Sequence, residues 1–421
     1  MLKKVALLLT GIAVVFSIAA CSEKLEAGKS CPLLCPEQAI TLVDTTIDAA
    51  VSDTTIAGLP PIGAEGYLML ASHGDTVETR AIIRYDTLPQ SYTKSGVDST
   101  IANIDSAYLI TPIVRPDSLK RPKAPVTIEA YDVDTTATDT VAAILAPLFR
   151  PDRLIGSKTF APESLLDTLR IPVSTDSVLD RVKNGTKLRV GLRIVSTQGV
   201  DLRVGSTTLG LGVTLHITAS KDTGAAPVNV APVSNTPTDQ PFLSGPLSDY
   251  TIVLNGTTRT PAILLGVGGV PSRRSFIRFN VPSRIVDSTT IVRASLLLTQ
   301  SPNRRLDPHD SLYVYPLAVL AGPAITDISS LLQFVGTPGQ FNLDSLRLAP
   351  ADSGVVSFEI VGLVRTWRGQ SSTVSPRSVA LRSAVEGQSP GEIDFFSTKA
   401  PAAVRPRLRI TYVPQTSFGL P

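Results

Sequence analysis

RRSFIRFNVPS, Arg273 to Ser283, has a near twin far upstream in ETRAIIRYDTLP, Glu78 to Pro89. In an extended strand alternate side chains share a face. Ser275, Ile277, Phe279 and Val281 therefore fall on one side, and Arg274, Phe276, Arg278 and Asn280 on the other. In the twin, Ala81, Ile83 and Tyr85 oppose Arg80, Ile82, Arg84 and Asp86. The first set in each stretch is the expected core face. Two arginines ride on the opposite face of each strand, so the two stretches define a repeated half-buried β-strand and raise the question of what the arginines meet.

Outward from these strands the rest of the chain also pairs off. VDTTIDAAVSDTTIAG answers to SDYTIVLNGTTRTP, YLMLASHGDTV to AILLGVGGVPS, IDSAYLITPI to VRASLLLTQS, and VTIEAYDV to DSLYVYPL. Further on, DSVLDRVKNG and IVGLVRTWRG each read as a short amphipathic helix stopped by glycine. The copies close with GVTLHITA and PRLRITYV. An ordered series of matches with loops of unequal length is the mark of duplication, and each unit is long enough to bury a core of its own. SKDTGAAPVNVAPVSNTPTDQPFLSGP lies between them, rich in Pro, Ala and Thr, and reads as an extended, semi-rigid linker.

Composition agrees with many short strands joined by turns. The 421 residues are 43% hydrophobic and 18% charged, with 33 Pro and 29 Gly, and sustained helical periodicity is rare. The formal net charge is +3. Removal of a leader carrying Lys3 and Lys4 would bring it to about +1 by the same count, which gives no reason to expect nucleic acid as a partner.

That leader is MLKKVALLLTGIAVVFSIAA, residues 1–20: two lysines, an uncharged apolar run, then small residues. It reads as an export signal, the alternative being an uncleaved membrane anchor. The string SIAAC, ending at Cys21, resembles the lipobox of bacterial lipoproteins. In those proteins the cysteine receives a diacylglyceryl group and becomes the mature N-terminus. Several acyl chains, at about 0.8 kcal/mol per buried methylene, hold a protein on a membrane without a spanning helix. Ser22, where inner-membrane retention would call for aspartate, implies the outer membrane by analogy with enteric bacteria. Cys31 and Cys35, in SCPLLCPEQ, are the remaining cysteines. In an exported chain a local disulfide leads. A metal site would need two further ligands, and a redox pair would have C-x-x-C spacing. Residues 21–38 are thus a tether with a small loop.

The second copy resembles a DNRLRE-type domain, a bacterial extracellular β-sandwich with jelly-roll-like topology. The resemblance rests on LLGVGGVPSRRSFIRFNVPSRI, VRASLLLT, VSFEIVGLVRTWRGQ and RPRLRITY. The first copy is similar through VDTTIDAAVSDTTIAG, YLMLASHGDTVETRAIIRYDTLP and SAYLIT. Such domains resemble alginate-binding carbohydrate modules and accompany surface proteins and polysaccharide-degrading enzymes, which implies binding or scaffolding. Val361 and Gly362 stand where the family has an Asp-rich start to the helix motif, and no ligand residue carries over.

Signs of catalysis are few. His73, His216 and His309 sit in different settings, and no metal-spaced His pair, nucleophile elbow or phosphate loop appears. His73, in SHGDT, reads as a turn residue. A carboxylate pair for glycoside cleavage remains the enzyme reading among so many aspartates. Residues 132–140, DVDTTATDT, offer the oxygens that calcium takes but lack the glycine and terminal glutamate of a calcium loop, so a solvated turn is expected and no cofactor is assigned. Trp367 is the single tryptophan and is expected to pack over the end of a sandwich.

The resulting expectation is an all-β chain of two tandem jelly-roll-like antiparallel β-sandwiches, each with a short helix. The signal peptide spans 1–20 and the tether 21–38. The sandwiches span 39–220 and 247–414, with a linker at 221–246 and a tail at 415–421. The expected function is a non-catalytic, exported, lipid-anchored envelope protein that binds or scaffolds extracellular polysaccharide, or an envelope protein, on an undetermined side of the outer membrane. Alternatives are a hydrolase or lyase on such a polymer, or a structural spacer displaying a protein. Arg80, Arg84, Arg274 and Arg278 are the ligand candidates. Either they are solvated or paired with carboxylates, or they line the concave face and grip the carboxylates of an acidic glycan, with avidity from two copies.

Overall fold

The computed structural model describes residues 42–116, 120–137, 140–219, 226–235, 247–320, 325–337, 343–369 and 377–414. The leader, the lipobox with Cys21, and Cys31 and Cys35 lie outside these residues. The chain begins with β1 (Val43–Ile47), β2 (Ala50–Leu59), β3 (Tyr67–Ser72) and β4 (Glu78–Tyr85). A small hairpin, β5 (Ser91–Lys94) and β6 (Val97–Thr100), precedes β7 (Ser106–Pro112), β8 (Val126–Asp132), β9 (Leu154–Phe160) and β10 (Thr168–Pro172). Then come β11 (Leu188–Ser196), β12 (Val200–Gly205), β13 (Thr214–Thr218) and β14 (Val228–Val230). The second half has β15 (Asp249–Asn255), β16 (Leu264–Gly268), β17 (Ser272–Phe279), β18 (Thr289–Ser301) and β19 (Leu312–Ala318). It ends with β20 (Leu346–Leu348), β21 (Gly354–Glu359), β22 (Ser378–Ser383), β23 (Glu392–Phe396) and β24 (Arg407–Pro414). The α-helices are α1 (Ala142–Leu145), α2 (Thr175–Lys183), α3 (Ser283–Val286), α4 (Ile328–Phe334) and α5 (Val361–Thr366).

The strands pair twice in nearly the same way, except that in the second half β18 also pairs with β23 and joins the two layers into one sheet. One layer of the first sandwich runs β4-β11-β8-β9 and continues through β3 to β12, and the opposing layer is β10-β7-β13-β14. In the second, β17-β22-β19-β20 continues through β16 to β23, and β21-β18-β24-β1 faces it. The pairs between these strands are antiparallel. Each sandwich has its own core. Ala81, Ile83 and Tyr85 meet Leu109, Leu192 and Leu215 in the first, and Ile277, Phe279 and Val281 meet Leu296, Phe358 and Ile410 in the second. The face assigned to the core from alternation is the one buried there.

The division at 39–220 and 247–414 is not the division of the sheets. β2, which opens the first copy, pairs along β17 of the second, from Leu59 opposite Ser272 to Ala50 opposite Phe279. Its counterpart β15 pairs along β4, from Asp249 opposite Ile83 to Asn255 opposite Glu78. β1 borders β24 and β14 borders β13 in the same reciprocal manner. Each copy therefore lends its two opening strands to the other, and the described residues from Asp44 to Pro414 form one compact unit. Part of the expected linker is itself sheet: Val228 and Val230 pair with Ile217 and Leu215. The alternation in PVNVAP supplies a strand that compositional bias hides.

Both expected helices form. Ser174 caps α2 by accepting from Ser177 N, Val178 and Val182 face the core, and Gly185 at φ 61° ends the turn beyond it. α5 buries Leu363 and Val364. Trp367, at its end, is 2% exposed and stacks on Phe279 with ring centroids 5.9 Å apart. That is the packing role expected for it.

Candidate functional site

The outer faces of β4 and β17 decide the fate of the arginines. On β17, Arg278, Phe276 and Arg274 stand opposite Ser52, Thr54 and Ile56 of β2. Across the other edge, Phe276 and Arg278 face Ala380 and Ser378 of β22. Long β-to-β connections fold back over both faces. Ile328, Leu331 and Leu332 of α4 pack on Ile56, Phe276 and Leu317. In the first sandwich Leu145, Leu148 and Phe149, from α1 and the turn after it, pack on Ile82, Tyr131 and Tyr250. A second, smaller core thus covers each sheet where an open concave face was expected.

Three of the four arginines are buried with partners of their own. Arg80 is 8% exposed, lies 4.3 Å from the centroid of the Phe149 ring, and donates to Glu78 Oε1 at 2.6 Å. Arg84, 3% exposed, donates to Leu247 O at 2.9 Å and Ser234 Oγ at 3.1 Å, above the Tyr250 ring. Arg274, 7% exposed, makes a two-pronged pair with Glu386, Nε to Oε1 at 2.6 Å and Nη2 to Oε2 at 2.9 Å. Guanidinium groups whose donors are already committed in this way hold the fold together. Of the two readings of these arginines, pairing with neighbouring carboxylates is the one that Arg80 and Arg274 follow, while Arg84 bonds Leu247 and Ser234; none of the three faces an open concave surface.

Arg278 differs. It is half-buried and lines an open groove of about 350 Å³. Ser52, Thr54, Thr326 and Ser378 bring hydroxyls to the groove, Phe276, Val319 and Ile325 bring apolar surface, and Asp53, which accepts from Thr398 N, also lines it. The two copies diverge at one cross-strand neighbour. Arg84 sits opposite Arg189, and the linker residue Ser234 and then Leu247 close over it. Arg278 sits opposite Ser378, whose small side chain leaves the space open. A guanidinium with several hydroxyls over an apolar floor suits a polyol that carries an acidic group. Ser52, Thr54 and Ser378 could not be read from the sequence as neighbours of Arg278, because they come from strands far apart in the chain.

The other singled-out residues fall elsewhere. His73 is in the β3–β4 turn, 3.5 Å from Asp201. Burial pulls its pKa down, but Asp201 and Asp307 push it up further. His216 stacks on Tyr108 with centroids 4.4 Å apart and shares a 2.7 Å hydrogen bond with Asn229, while Arg170 lies over the Tyr108 ring. Asp132 and Asp134 pair with Arg181 at 2.6 and 3.4 Å, so the first two carboxylates of the candidate calcium segment face a cation of the protein itself. Among the described residues no group of three or more His, Cys, Asp or Glu could hold a metal ion.

Two carboxylates do share one face of β23. Glu392 and Asp394 alternate with the core residues Ile393 and Phe395. Arg273 donates to Glu392 Oε2 at 2.8 Å and Thr260 to Oε1 at 2.9 Å. Asn303 donates to Asp394 Oδ2 at 3.0 Å, and burial, reinforced by Glu392, pushes Asp394 up to about 7. Each of the two carboxylates thus accepts from side chains of neighbouring segments.

No family model matches the chain, and the search of curated proteins gave no match. Among solved structures, a Macrobrachium rosenbergii nodavirus chain is similar at 9% identity and TM-score 0.16, covering 88% of each chain. A serine-rich repeat protein of Streptococcus agalactiae is similar at 10% identity and TM-score 0.16, covering 89% of this chain and 97% of that one. A chain of infectious bursal disease virus has 11% identity and TM-score 0.12, covering 89% and 78%. Likenesses at this level carry no argument for fold or function.

Proposed function

We propose that this is a non-catalytic, lipid-anchored envelope protein of two DNRLRE-like sandwiches that binds an acidic extracellular polysaccharide through the Arg278 groove. The anchor rests on the SIAAC string and Cys21, and the outer-membrane destination on Ser22. The observation that carries the binding role is the groove: of the four candidate arginines, Arg278 is the one with open space and hydroxyl neighbours beside it. In this reading Arg278 meets a carboxylate or sulfate, Ser52, Thr54 and Ser378 meet ring hydroxyls, and the apolar floor takes the flat side of a sugar. Binding is monovalent, since the counterpart position at Arg84 is filled. The experiment is a titration of the soluble chain starting at Ser22 with a polyuronate and with a neutral polymer of similar length. Saturable binding to the polyuronate that weakens with salt and is lost in Arg278→Ala supports the proposal. Equal affinity for the neutral polymer, or turnover of either one, counts against it.

A further inference from the structure

Glu65 lies in the short connection that carries the chain from β2 in one sandwich to β3 in the other. Its backbone is pinned: Glu65 O accepts from Ser206 Oγ at 2.8 Å. The side chain is 5% exposed. Oε1 accepts from Thr251 N at 3.4 Å, the backbone N–H groups of Gly63 and Glu65 also act on the carboxyl, and Oε2 has no partner in hydrogen-bond geometry. Glu65 stands in the wall of a cleft of about 240 Å³ whose other walls include Ile62, Ile252, Val253, Val270 and Pro271. Asp249, 2% exposed, is the charge that acts on it, and both Asp249 oxygens are taken by Thr207 N and Oγ1 at 2.8 and 2.7 Å. Burial first, and then Asp249, raise the Glu65 carboxyl to about 7.

We infer that this junction is a second binding site, independent of the Arg278 groove, for a small organic cation with an ammonium head on Glu65 and an apolar stem along the cleft. Two buried carboxylates of like sign adjoin there, and neither forms an ion pair among the described residues. The counterpart junction, where the β15–β16 connection passes the β3–β4 turn, shows the alternative. There Glu392 is answered by Arg273 at 2.8 Å, so the chain supplies its own cation. At Glu65 it supplies space. An orphaned buried acceptor is costly unless something donates to it, and an ammonium group brings three donors and the missing charge. The apolar walls and the absence of a third metal-type ligand among the described residues favour a carbon-bearing cation over a bare ion.

The test uses the chain from Ser22 and n-butylammonium as probe, read by calorimetry, with n-butanol, potassium and calcium in parallel. Butylammonium should bind one to one. Its affinity should rise roughly thirty-fold from pH 5.5 to pH 8 as the carboxyl ionises. Glu65→Gln should remove both the binding and its pH dependence. Equal binding of butanol would reduce the site to an apolar cleft and overturn the inference, as would undiminished binding to Glu65→Gln, or binding of potassium or calcium in place of the amine. If Glu65→Gln fails to fold, the pH dependence in the unmodified chain decides, and a flat profile refutes.

Discussion

The carboxyl of Glu65 makes stability depend on pH in a way that one substitution isolates. Its pKa moves from 4.5 to about 7 on folding, because burial disfavours the charged form. A carboxyl raised in the folded state favours the fold while protonated. That advantage is present below the unfolded pKa and is lost as pH rises toward and through 7. At about 1.36 kcal/mol per pKa unit, the loss relative to the fully protonated protein is about 1 kcal/mol at pH 5 and about 3 kcal/mol at pH 8. Glu65→Gln keeps the shape and cannot ionise. The stability of Glu65→Gln relative to the unmodified chain should therefore improve by about 2 kcal/mol between pH 5 and pH 8. Asp307 and Asp394 drift in the same direction, their carboxyls raised first by burial, but they are common to both proteins and cancel. Urea unfolding of the two proteins at both pH values, without added amines, measures the difference. A gap that does not change with pH would refute the claim that Glu65 is buried and unpaired.

Glu386→Gln leaves the Arg274 guanidinium buried without its counter-charge and should cost about 3–5 kcal/mol in denaturant unfolding; a change near zero would mean that Arg274 turns to solvent. Arg278→Ala should shift the thermal midpoint little while abolishing polyuronate binding, so large destabilisation without a binding defect would move Arg278 into the structural set. Trp367→Ala removes a buried ring stacked on Phe279 and should cost about 3–5 kcal/mol, a loss that near-native urea stability would exclude. Cys21→Ser should release the protein from the membrane fraction or stall it as precursor, and unchanged fractionation would count against the anchor.

Much of the fold was legible from short-range pattern. Alternation in RRSFIRFNVPS and ETRAIIRYDTLP assigned the core faces correctly, since a strand's faces follow from backbone geometry alone. The two helices were equally legible, from amphipathic spacing and the glycines that end them. The arginine faces were not. Whether a guanidinium is solvated depends on what folds over it, and the covers come from segments such as Leu145–Phe149 and Ile328–Leu332 that reach the sheet only through tertiary packing. Glu65 showed just one signal, a lone acid among apolar and turn residues in PPIGAEGY.

By itself the sequence determined that there are two copies, that they are sandwiches, and which side of β4 and β17 faces the core between the layers. Those properties reside in periodicity within a few residues. Only the tertiary structure decided that β2 serves the second sandwich and β15 the first, that Arg84 is closed over while Arg278 is open, and that Glu65 has no cation beside it. The physical reason is that strand pairing is non-local. The edges of β4 and β17 offer similar rows of backbone donors and acceptors, and the opening strands of either copy suit both. The choice between them falls to the connections, which residues 60–66 and 256–263 carry directly across the junction.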